Sequence, residues 1–339
     1  MQHRMGRGDL LDGRGALVER GWATEEVRRY RRGAVRAHPL RIKEWDYYCV
    51  LAQDYGLAVT VADNDYLGFL GVTWFDFRAR TYVSHDVMAP FPMGKMRMPE
   101  SADAGDVHVM HGKLDIRYAH EPGARRVQVR APAFGDAKGL EADLRLLQPA
   151  MDRMVIATPF AGAARSFYYN QKINCLRADG VVNIGGERFV FRPQEALGVL
   201  DWGRGAWTYD NTWYWGSASG FVDGRLFGFN IGYGFGDTSA ATENMLFVDG
   251  RAHKLEQVTF HLPQGALDAA PWRFSSSDGR FELTFAPIVD RASNADMGLI
   301  ASKQNQVFGR FNGQVVLDDG ERLSIKDLLG FAEKVHNRW

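Results

Sequence analysis

The sequence predicts a mainly β protein made of two antiparallel halves, each a barrel or sandwich, with a short C-terminal helix. At 339 residues the chain is too long for one ordinary core, so two units are expected. Turn-forming pairs recur at short intervals in the second half and supply the positive φ angles of tight hairpins. These pairs are Asp179-Gly180, Gly185-Gly186, Asp223-Gly224, Asp249-Gly250, Asp278-Gly279, Asn312-Gly313 and Asp319-Gly320.

Strand-like runs rich in β-branched and aromatic residues lie between turn signals in both halves. They include Trp45–Ala52, Leu57–Ala62, Val72–Phe77, Met154–Thr158, Arg280–Phe285, Val307–Phe311 and Gln314–Leu317. The clearest helix is predicted at the C-terminus. There Ser324 and Asp327 resemble a capping box, and Leu328, Phe331, Ala332 and Val335 recur at helical spacing.

Three segments are expected along the chain: a leader over 1–40, a first β domain over 41–165 and a second over 166–339. Residues 1–43 contain eleven Lys or Arg and five Asp or Glu. Such a run is more often a solvated tail than an interaction site, and we interpret it that way. Weak contact with an anionic membrane surface is the alternative.

Composition excludes several classes of protein. Forty-one basic residues balance forty-one acidic ones, so no strong field attracts nucleic acid, and an apolar small molecule is the expected partner. The chain has no signal-like start and no apolar run of 18 residues, which predicts a cytoplasmic protein. Cys49 and Cys175 lack metal or redox spacing, and the spacing of Gly232, Gly234 and Gly236 does not match a dinucleotide fingerprint. We therefore expect no metal and no cofactor.

Aromatic residues concentrate at the start of the second half and predict a ligand-binding wall. Period-two alternation places Asn211, Trp213 and Trp215 on one face of a strand, with Trp202 and Trp207 shortly before it. On the next strand Tyr233 belongs to a bulky face, whereas the opposite face carries Asn230 among glycines. A bare face of this kind indicates close approach of a ligand or of another backbone, and both alternatives stay open. The tryptophans fit core packing as well.

Polar residues near this wall are candidates for chemistry. Asp201 and Arg204 suggest an acid tuned by a cation, or else a salt-bridged brace. Asp237 and Glu243 follow the glycine-rich strand, where apolar surroundings would raise a carboxyl pKa and create a general acid. Further candidate ligand-binding residues, which offer hydrogen bonds, are Tyr168, Asn170 and Asn244, with Lys172 and Asn174 on the same strand face as the first two.

Six stretches resemble one bacterial family, domain-of-unknown-function family 2804, and two of them are Ile42–Tyr48 and Gly198–Gly205. The other four are Phe167–Cys175, Asn211–Gly216, Gly232–Asn244 and Gly330–Asn337. The resemblance implies a distant relationship to double-lipocalin proteins, which include AttH-like proteins, tocopherol cyclase, carotenoid 1,2-hydratase and certain fungal Diels–Alderases. It therefore implies two tandem lipocalin-like, or calycin-like, β barrels with an apolar ligand in or between them. No catalytic residue of those relatives can be matched to this chain.

Three functions fit the sequence. The first is binding of an apolar or amphipathic small molecule, lipid or isoprenoid-like, in an aromatic pocket. The second is a cofactor-independent, acid-assisted isomerase, cyclase or hydratase in which Asp201, Asp237 or Glu243 protonates an alkene. The third is an interaction module without a ligand, which is expected if the glycine face is covered by protein.

Overall fold

A computed structural model describes residues 2–296, 298 and 300–338 of the chain. Fifteen strands occupy its first two thirds. They are β1 (Gly8–Asp9), β2 (Gly21–Ala23), β3 (Arg28–Arg29), β4 (Ile42–Leu51), β5 (Tyr55–Asp63), β6 (Leu67–Asp76), β7 (Thr81–Pro90), β8 (Val107–His111), β9 (Leu114–Glu121), β10 (Ala124–Ala131), β11 (Leu140–Leu147), β12 (Met154–Phe160), β13 (Ala163–Ile184), β14 (Glu187–Phe191) and β15 (Leu197–Ala206).

Nine strands complete the chain: β16 (Asp210–Val222), β17 (Arg225–Tyr233), β18 (Met245–Val248), β19 (Arg251–Lys254), β20 (Val258–His261), β21 (Trp272–Ser276), β22 (Phe281–Asp296), β23 (Ala301–Val316) and β24 (Arg322–Arg338). Among the residues that the structure describes, helical structure is limited to α1 (Phe134–Ala137) and two 3₁₀ turns, Arg32–Ala34 and Pro39–Arg41. In the described ranges, no helix has the length and apolar character needed to cross a membrane.

The strands form two large sheets with antiparallel pairing. The first runs β7-β6-β5-β4-β15-β13-β11-β10-β9-β8, with β2, β12 and β14 attached, and the second runs β19-β18-β17-β16-β24-β23-β22-β21-β20. Each sheet curls: Gly112, beside β8, lies against Val87 of β7, and the Phe260 ring of β20 contacts the Tyr233 ring of β17. Two barrel-like halves result, which confirms the predicted mainly β, tandem lipocalin-like fold.

Apolar side chains pack in three layers. One cluster fills the first barrel, a second fills the second barrel, and a third lies between them. The middle layer exists because β4, β13, β16 and β24 are covered on both faces. On β24, for example, Ala332 belongs to the core of the second barrel, whereas Phe331 belongs to the layer between the barrels.

The predicted C-terminal helix is wrong: its residues form β24. A left-handed residue, Asp327 (φ 57°), interrupts the strand and shifts its alternation by one residue. Leu328 and Ala332 then face the second core, while Phe331 faces the first barrel. Burial on both faces plus a bulge imitates helical spacing, and pairing with β16 and β23 overrides local propensity.

Two predicted hairpin turns lie inside long strands. Gly180 (φ 145°) is an interior residue of β13, and Gly313 (φ 143°) marks a register shift in β23. Glycine tolerates these conformations and the close backbone contacts beside them, so the same residue type serves bulges as well as turns. The remaining predicted pairs connect strands.

The N-terminal segment is folded rather than a solvated leader. Leu10 and Tyr30 are buried in the first core, β2 pairs with β12, and Arg32 forms ion pairs with Glu44 and Asp65. The predicted domain boundary at 165/166 falls inside β13, which pairs with β15 in the first sheet. The first sheet therefore continues to Ala206, and the second sheet begins with β16.

Candidate functional site

A buried polar cluster lies where the two barrels meet. Lys172 of β13 and Asp201 of β15 are directly opposite in the first sheet, and the Lys172 Nζ lies 2.8 Å from Asp201 Oδ1. Asn170 Nδ2 donates to the same oxygen at 2.7 Å. Lys172 is 1% exposed and Asp201 is 7% exposed. The pair therefore sits at low dielectric, where charge is costly unless it is partnered.

The second sheet covers this ion pair with an indole. The Lys172 Nζ lies 3.8 Å from the centroid of the Trp215 ring, within the range of a cation–π contact. Trp215 Nε1 donates to Asn230 Oδ1 at 2.7 Å, and Asn230 Nδ2 donates to the backbone oxygen of Glu243 at 3.0 Å. Asn230 thus fixes both the indole and the backbone of the acidic residue beside it.

Glu243 is the most deeply buried acid of the cluster, at 1% exposed. The Tyr168 hydroxyl donates to its Oε2 at 3.2 Å, whereas its Oε1 has no hydrogen-bond partner among the described residues. Burial raises the pKa of Glu243 to about 7; Lys172 opposes this increase and Asp201 adds to it. At neutral pH a substantial fraction of this carboxyl is protonated.

Glu333 of β24 is partly buried and has a different hydrogen-bond environment. Trp213 Nε1 donates to its Oε1 at 3.1 Å, and Gln306 Nε2 donates to its Oε2 at 3.2 Å. The Gln306 amide is oriented because its oxygen accepts from the Tyr47 hydroxyl at 3.2 Å and from Arg291 at 3.3 Å. Burial raises the pKa of Glu333 to about 7, although the bond from Trp213 favours the ionised form.

Three carboxyl groups, Asp201, Glu243 and Glu333, therefore share the ammonium group of Lys172. Aromatic rings surround them. The Trp45 ring stacks on Tyr168 at 6.3 Å, and the Trp207 and Trp213 rings are 5.3 Å apart. Trp45, Trp213 and Glu333 are partly exposed, so the cluster reaches solvent on this side. The arrangement combines proton donors and acceptors with apolar walls.

Seven predicted site residues come together here: Tyr168, Asn170, Asp201, Trp213, Trp215, Asn230 and Glu243. Trp202 and Arg204 lie instead inside the first barrel. They are one and three residues after Asp201 on β15, and alternation along a strand places both on the opposite face from Asp201. Arg204 pairs with Asp46 at 2.9 Å, so the suggested Asp201–Arg204 pair does not form.

The other predicted residues lie outside the cluster. Tyr233 packs against Tyr214 on the inner face of the second barrel, with ring centroids 4.7 Å apart. The Asn211 side chain forms two hydrogen bonds with Thr208, and Asn244 accepts from the Gly232 N–H at 2.7 Å. These two amides are local braces.

Asp237 also lies away from the cluster, and it is a poor candidate acid. It forms an ion pair with Arg20 at 3.2 Å. Hydrogen bonds from Ser239, above all from its backbone N–H, lower the pKa of Asp237. Apolar surroundings therefore do not raise the pKa here, contrary to the expectation for the acidic residues after the glycine-rich strand.

The glycine face of β17 is covered by protein, which settles the alternative left open by the sequence. A Cβ at Gly228 would lie 2.7 Å from the Cys175 Sγ, and one at Gly232 would overlap Glu243 Oε1. Gly236, just beyond the strand, lies against the backbone oxygen of Pro159. Close packing of the barrels, not an open ligand surface, explains these glycines, and this is the arrangement expected of an interaction module that holds no ligand at this face.

Sequence reasoning missed several residues of the cluster. Glu333 was assigned to a helix, where its strand partners could not be inferred, and Gln306 lies on β23, which gave no chemical signal. Trp45 is identified from the sequence only as the first residue of the strand-like run Trp45–Ala52. Lys172 was placed on the correct face but given no role in proton transfer. Each comes from a strand far away in sequence from Glu243.

Two curled antiparallel sheets joined through a shared layer define a double-barrel, lipocalin-like protein. The sequence matches the family described as a domain of unknown function, DUF2804, over residues 2–339, and the chain belongs to that family. No curated protein sequence matches it.

Solved structures with a similar fold have low sequence identity. A putative AttH from Nitrosomonas europaea shares 17% identity, with 88% of this chain and 93% of that chain covered and a TM-score of 0.55. Kievitone hydratase from Nectria haematococca shares 10% identity, with 88% of each chain covered and a TM-score of 0.50. CghA bound to Sch210972 shares 10%, with 98% and 97% covered and a TM-score of 0.52. At these identities the similarity concerns the fold.

Proposed function

We propose that this chain is a cofactor-independent acid–base catalyst, namely a hydratase, isomerase or cyclase acting on an apolar or amphipathic, isoprenoid-like molecule between its barrels. The observation that carries the proposal is the pair Glu243 and Glu333, both with a pKa raised to about 7 and both interacting with Lys172 and Asp201. A catalytic acid or base works best when its pKa lies near the working pH.

The hydrogen bonds of the two carboxyl groups support a division of roles between them. We assign the acid role to Glu243, because its Oε1 accepts no hydrogen bond among the described residues and so can carry the proton. Glu333 is the base, because both of its oxygens accept hydrogen bonds from N–H donors, which favours the carboxylate. Carboxyl groups whose environments differ in this way commonly divide acid and base chemistry between them.

For hydration, the Glu243 carboxyl gives its proton to one carbon of an alkene, and the π electrons form the new C–H bond. Positive charge develops on the other carbon, where the faces of Trp213 and Trp215 stabilise it. A water oxygen then forms the C–O bond, and the water proton goes to Glu333. Solvent removes that proton and returns one to Glu243. Isomerisation or cyclisation shares the first step.

The fold comparison supports this class of reaction without assigning a substrate. One neighbour of similar fold is a hydratase by name, kievitone hydratase. Shared fold alone does not transfer activity, so the argument depends on the carboxyl groups of this chain.

Binding without turnover is the second candidate function. The observation that favours it is the set of rings around the cluster: Trp207, for example, contacts Trp45 at 5.7 Å and Phe160 at 5.4 Å. Aromatic walls with a few polar groups are typical of sites for apolar small molecules.

Incubation in ²H₂O with geraniol, farnesol, linalool and oleic acid tests the proposal. We expect a product with deuterium bound to carbon, detected by mass spectrometry. Glu243→Gln should lower turnover 10²- to 10⁴-fold, the usual contribution of a general acid. Glu282→Gln, which changes a surface carboxylate of the second barrel, is the matched control and should keep full activity.

Each outcome separates the candidates. Unchanged turnover in Glu243→Gln removes this residue from the acid role. A probe that quenches tryptophan fluorescence but gains no deuterium supports the binding function instead. If no probe binds or reacts, both proposals fail for isoprenoid-like and fatty-acid ligands.

A further inference from the structure

A separate cleft of about 430 Å³ lies on the surface where turns of the two barrels meet. The first barrel contributes the turn between β6 and β7, and the second contributes the bulged segment of β22. Phe77 and Ile288 form part of an apolar floor, and Phe77 is held in place against Phe308 with ring centroids 5.8 Å apart. The volume suits a small organic ligand.

Three arginines surround this floor, and two of them have carboxylate partners. Arg78 lies 2.6 Å from Asp54, and Arg310 lies 3.8 Å from Asp327. Arg80 is exposed at the cleft and, within the described ranges, forms no ion pair. The cleft therefore retains one uncompensated guanidinium beside apolar surface.

The backbone of Arg80 points to a role for its side chain. Its φ of 56° lies in the left-handed region, which glycine adopts at no steric cost and which disfavours residues with a Cβ. Arginine at such a turn position lowers local stability, and no ion pair with another described residue explains its presence there.

We propose that this cleft binds an amphipathic anion, a carboxylate or phosphate head with a short apolar tail. The guanidinium of Arg80 binds the head through charge-assisted hydrogen bonds, and the floor around Phe77 and Ile288 contacts the tail. The site shares no residue with the acid–base cluster, so it is independent of the function proposed above. An occupant would contact both barrels at once.

Calorimetric titration of the full chain with decanoate, decyl phosphate and decanol tests the proposal. We expect one or both anions to bind at least tenfold more tightly than decanol, and that binding to weaken as salt is raised. The two anionic probes distinguish a carboxylate from a phosphate head. Equal affinity for decanol, or failure of both anions to bind, overturns the proposal.

Arg80→Gly locates the site, because glycine suits the local backbone and the variant should fold normally. We expect affinity for the bound anion to fall at least tenfold. Lys113→Gly is the matched control: it also removes a positive charge from an exposed residue with positive φ (67°), but it lies outside the cleft. Unchanged affinity in Arg80→Gly, or an equal loss in Lys113→Gly, contradicts the assignment.

Discussion

The two faces of β15 carry buried charge in contrasting ways. Inside the first barrel, Arg204 has partners for every guanidinium nitrogen: Nε and Nη2 donate to the Pro99 oxygen, and Nη1 donates to the Trp45 oxygen and lies 2.9 Å from Asp46. Its ring neighbour Trp202 adds a cation–π contact at 4.1 Å. This network joins β15, β4 and the loop before β8, and it acts as a brace.

On the opposite face of β15, which carries Asp201, the buried acidic groups outnumber the basic ones. Asp201, Glu243 and Glu333 all interact with Lys172, and Glu243 Oε1 accepts no hydrogen bond from any residue that the structure describes. Buried polar atoms without a hydrogen bond in the described part of the chain occur on the brace face as well, at Asp46 Oδ1 and Trp202 Nε1, so the two faces differ in their charges. Arg204 forms an ion pair with Asp46, whereas three carboxyl groups interact with the single ammonium group of Lys172. The comparison shows how one strand contributes to stability on one side and presents groups suited to proton transfer on the other.

The largest expected effect concerns the brace. Arg204→Met removes the ion-pair partner of Asp46 and the donor to three backbone oxygens, those of Pro99, Trp45 and Gly203, so we expect a loss of about 3–5 kcal/mol in the free energy of unfolding, measured by urea denaturation. Arg145→Met removes a surface arginine paired with Glu121 and should change stability by less than about 0.5 kcal/mol. Similar values for both variants would contradict the contrast between the two faces.

The acid–base cluster should behave in the opposite way: removing the negative charge of Glu243 should increase the free energy of unfolding at high pH. Burial raises the pKa of Glu243 to about 7 from the 4.5 that is usual for a glutamate side chain. The folded chain therefore binds this proton more tightly than the unfolded chain does. Its stabilising contribution is complete below pH 4.5, and it is lost as the pH rises to about 7.

Glu243→Gln removes this dependence. We expect it to resemble the wild type near pH 4.5 and to exceed it at pH 8 by an amount on the order of 3 kcal/mol, measured by urea denaturation at each pH. The surface variant Glu282→Gln should show no gain at high pH. A Glu243→Gln variant that is less stable than the wild type at pH 8 would mean that the buried carboxylate is fully compensated.

Much of the fold could be predicted from the sequence, because turn-forming pairs and the alternation of residues along strands agree with the tertiary structure in most of the chain. Asp223-Gly224 and Asp249-Gly250 are true hairpin turns, and the alternation of Trp213 and Trp215 on β16 places both indoles on one face. The rules failed on β24, where burial on both faces and the bulge at Asp327 produced a false helical period.

The site was only partly accessible for a related reason. Alternation correctly grouped Tyr168, Asn170 and Lys172, since all three lie on one strand. Glu333 and Gln306 reach the same place through pairing of β23 and β24, and no local pattern reports such long-range contacts. Sequence periodicity therefore recovers faces of strands, whereas the partner of each face depends on how the barrels dock.

The smallest of these effects concerns the close packing that keeps Glu243 in place. A Cβ at Gly232 would overlap Glu243 Oε1 and lie 2.7 Å from the backbone oxygen of Tyr214. We expect Gly232→Ala to cost about 1–3 kcal/mol in urea denaturation, as overpacking does. The matched control is Gly13→Ala, where no atom lies within 4 Å of the new methyl group. Glu243→Ala removes one of the two clashes, so Gly232→Ala should lower the free energy of unfolding by less in a Glu243→Ala background than in the wild type. Equal losses in the two backgrounds would show that the carboxyl does not contact Gly232.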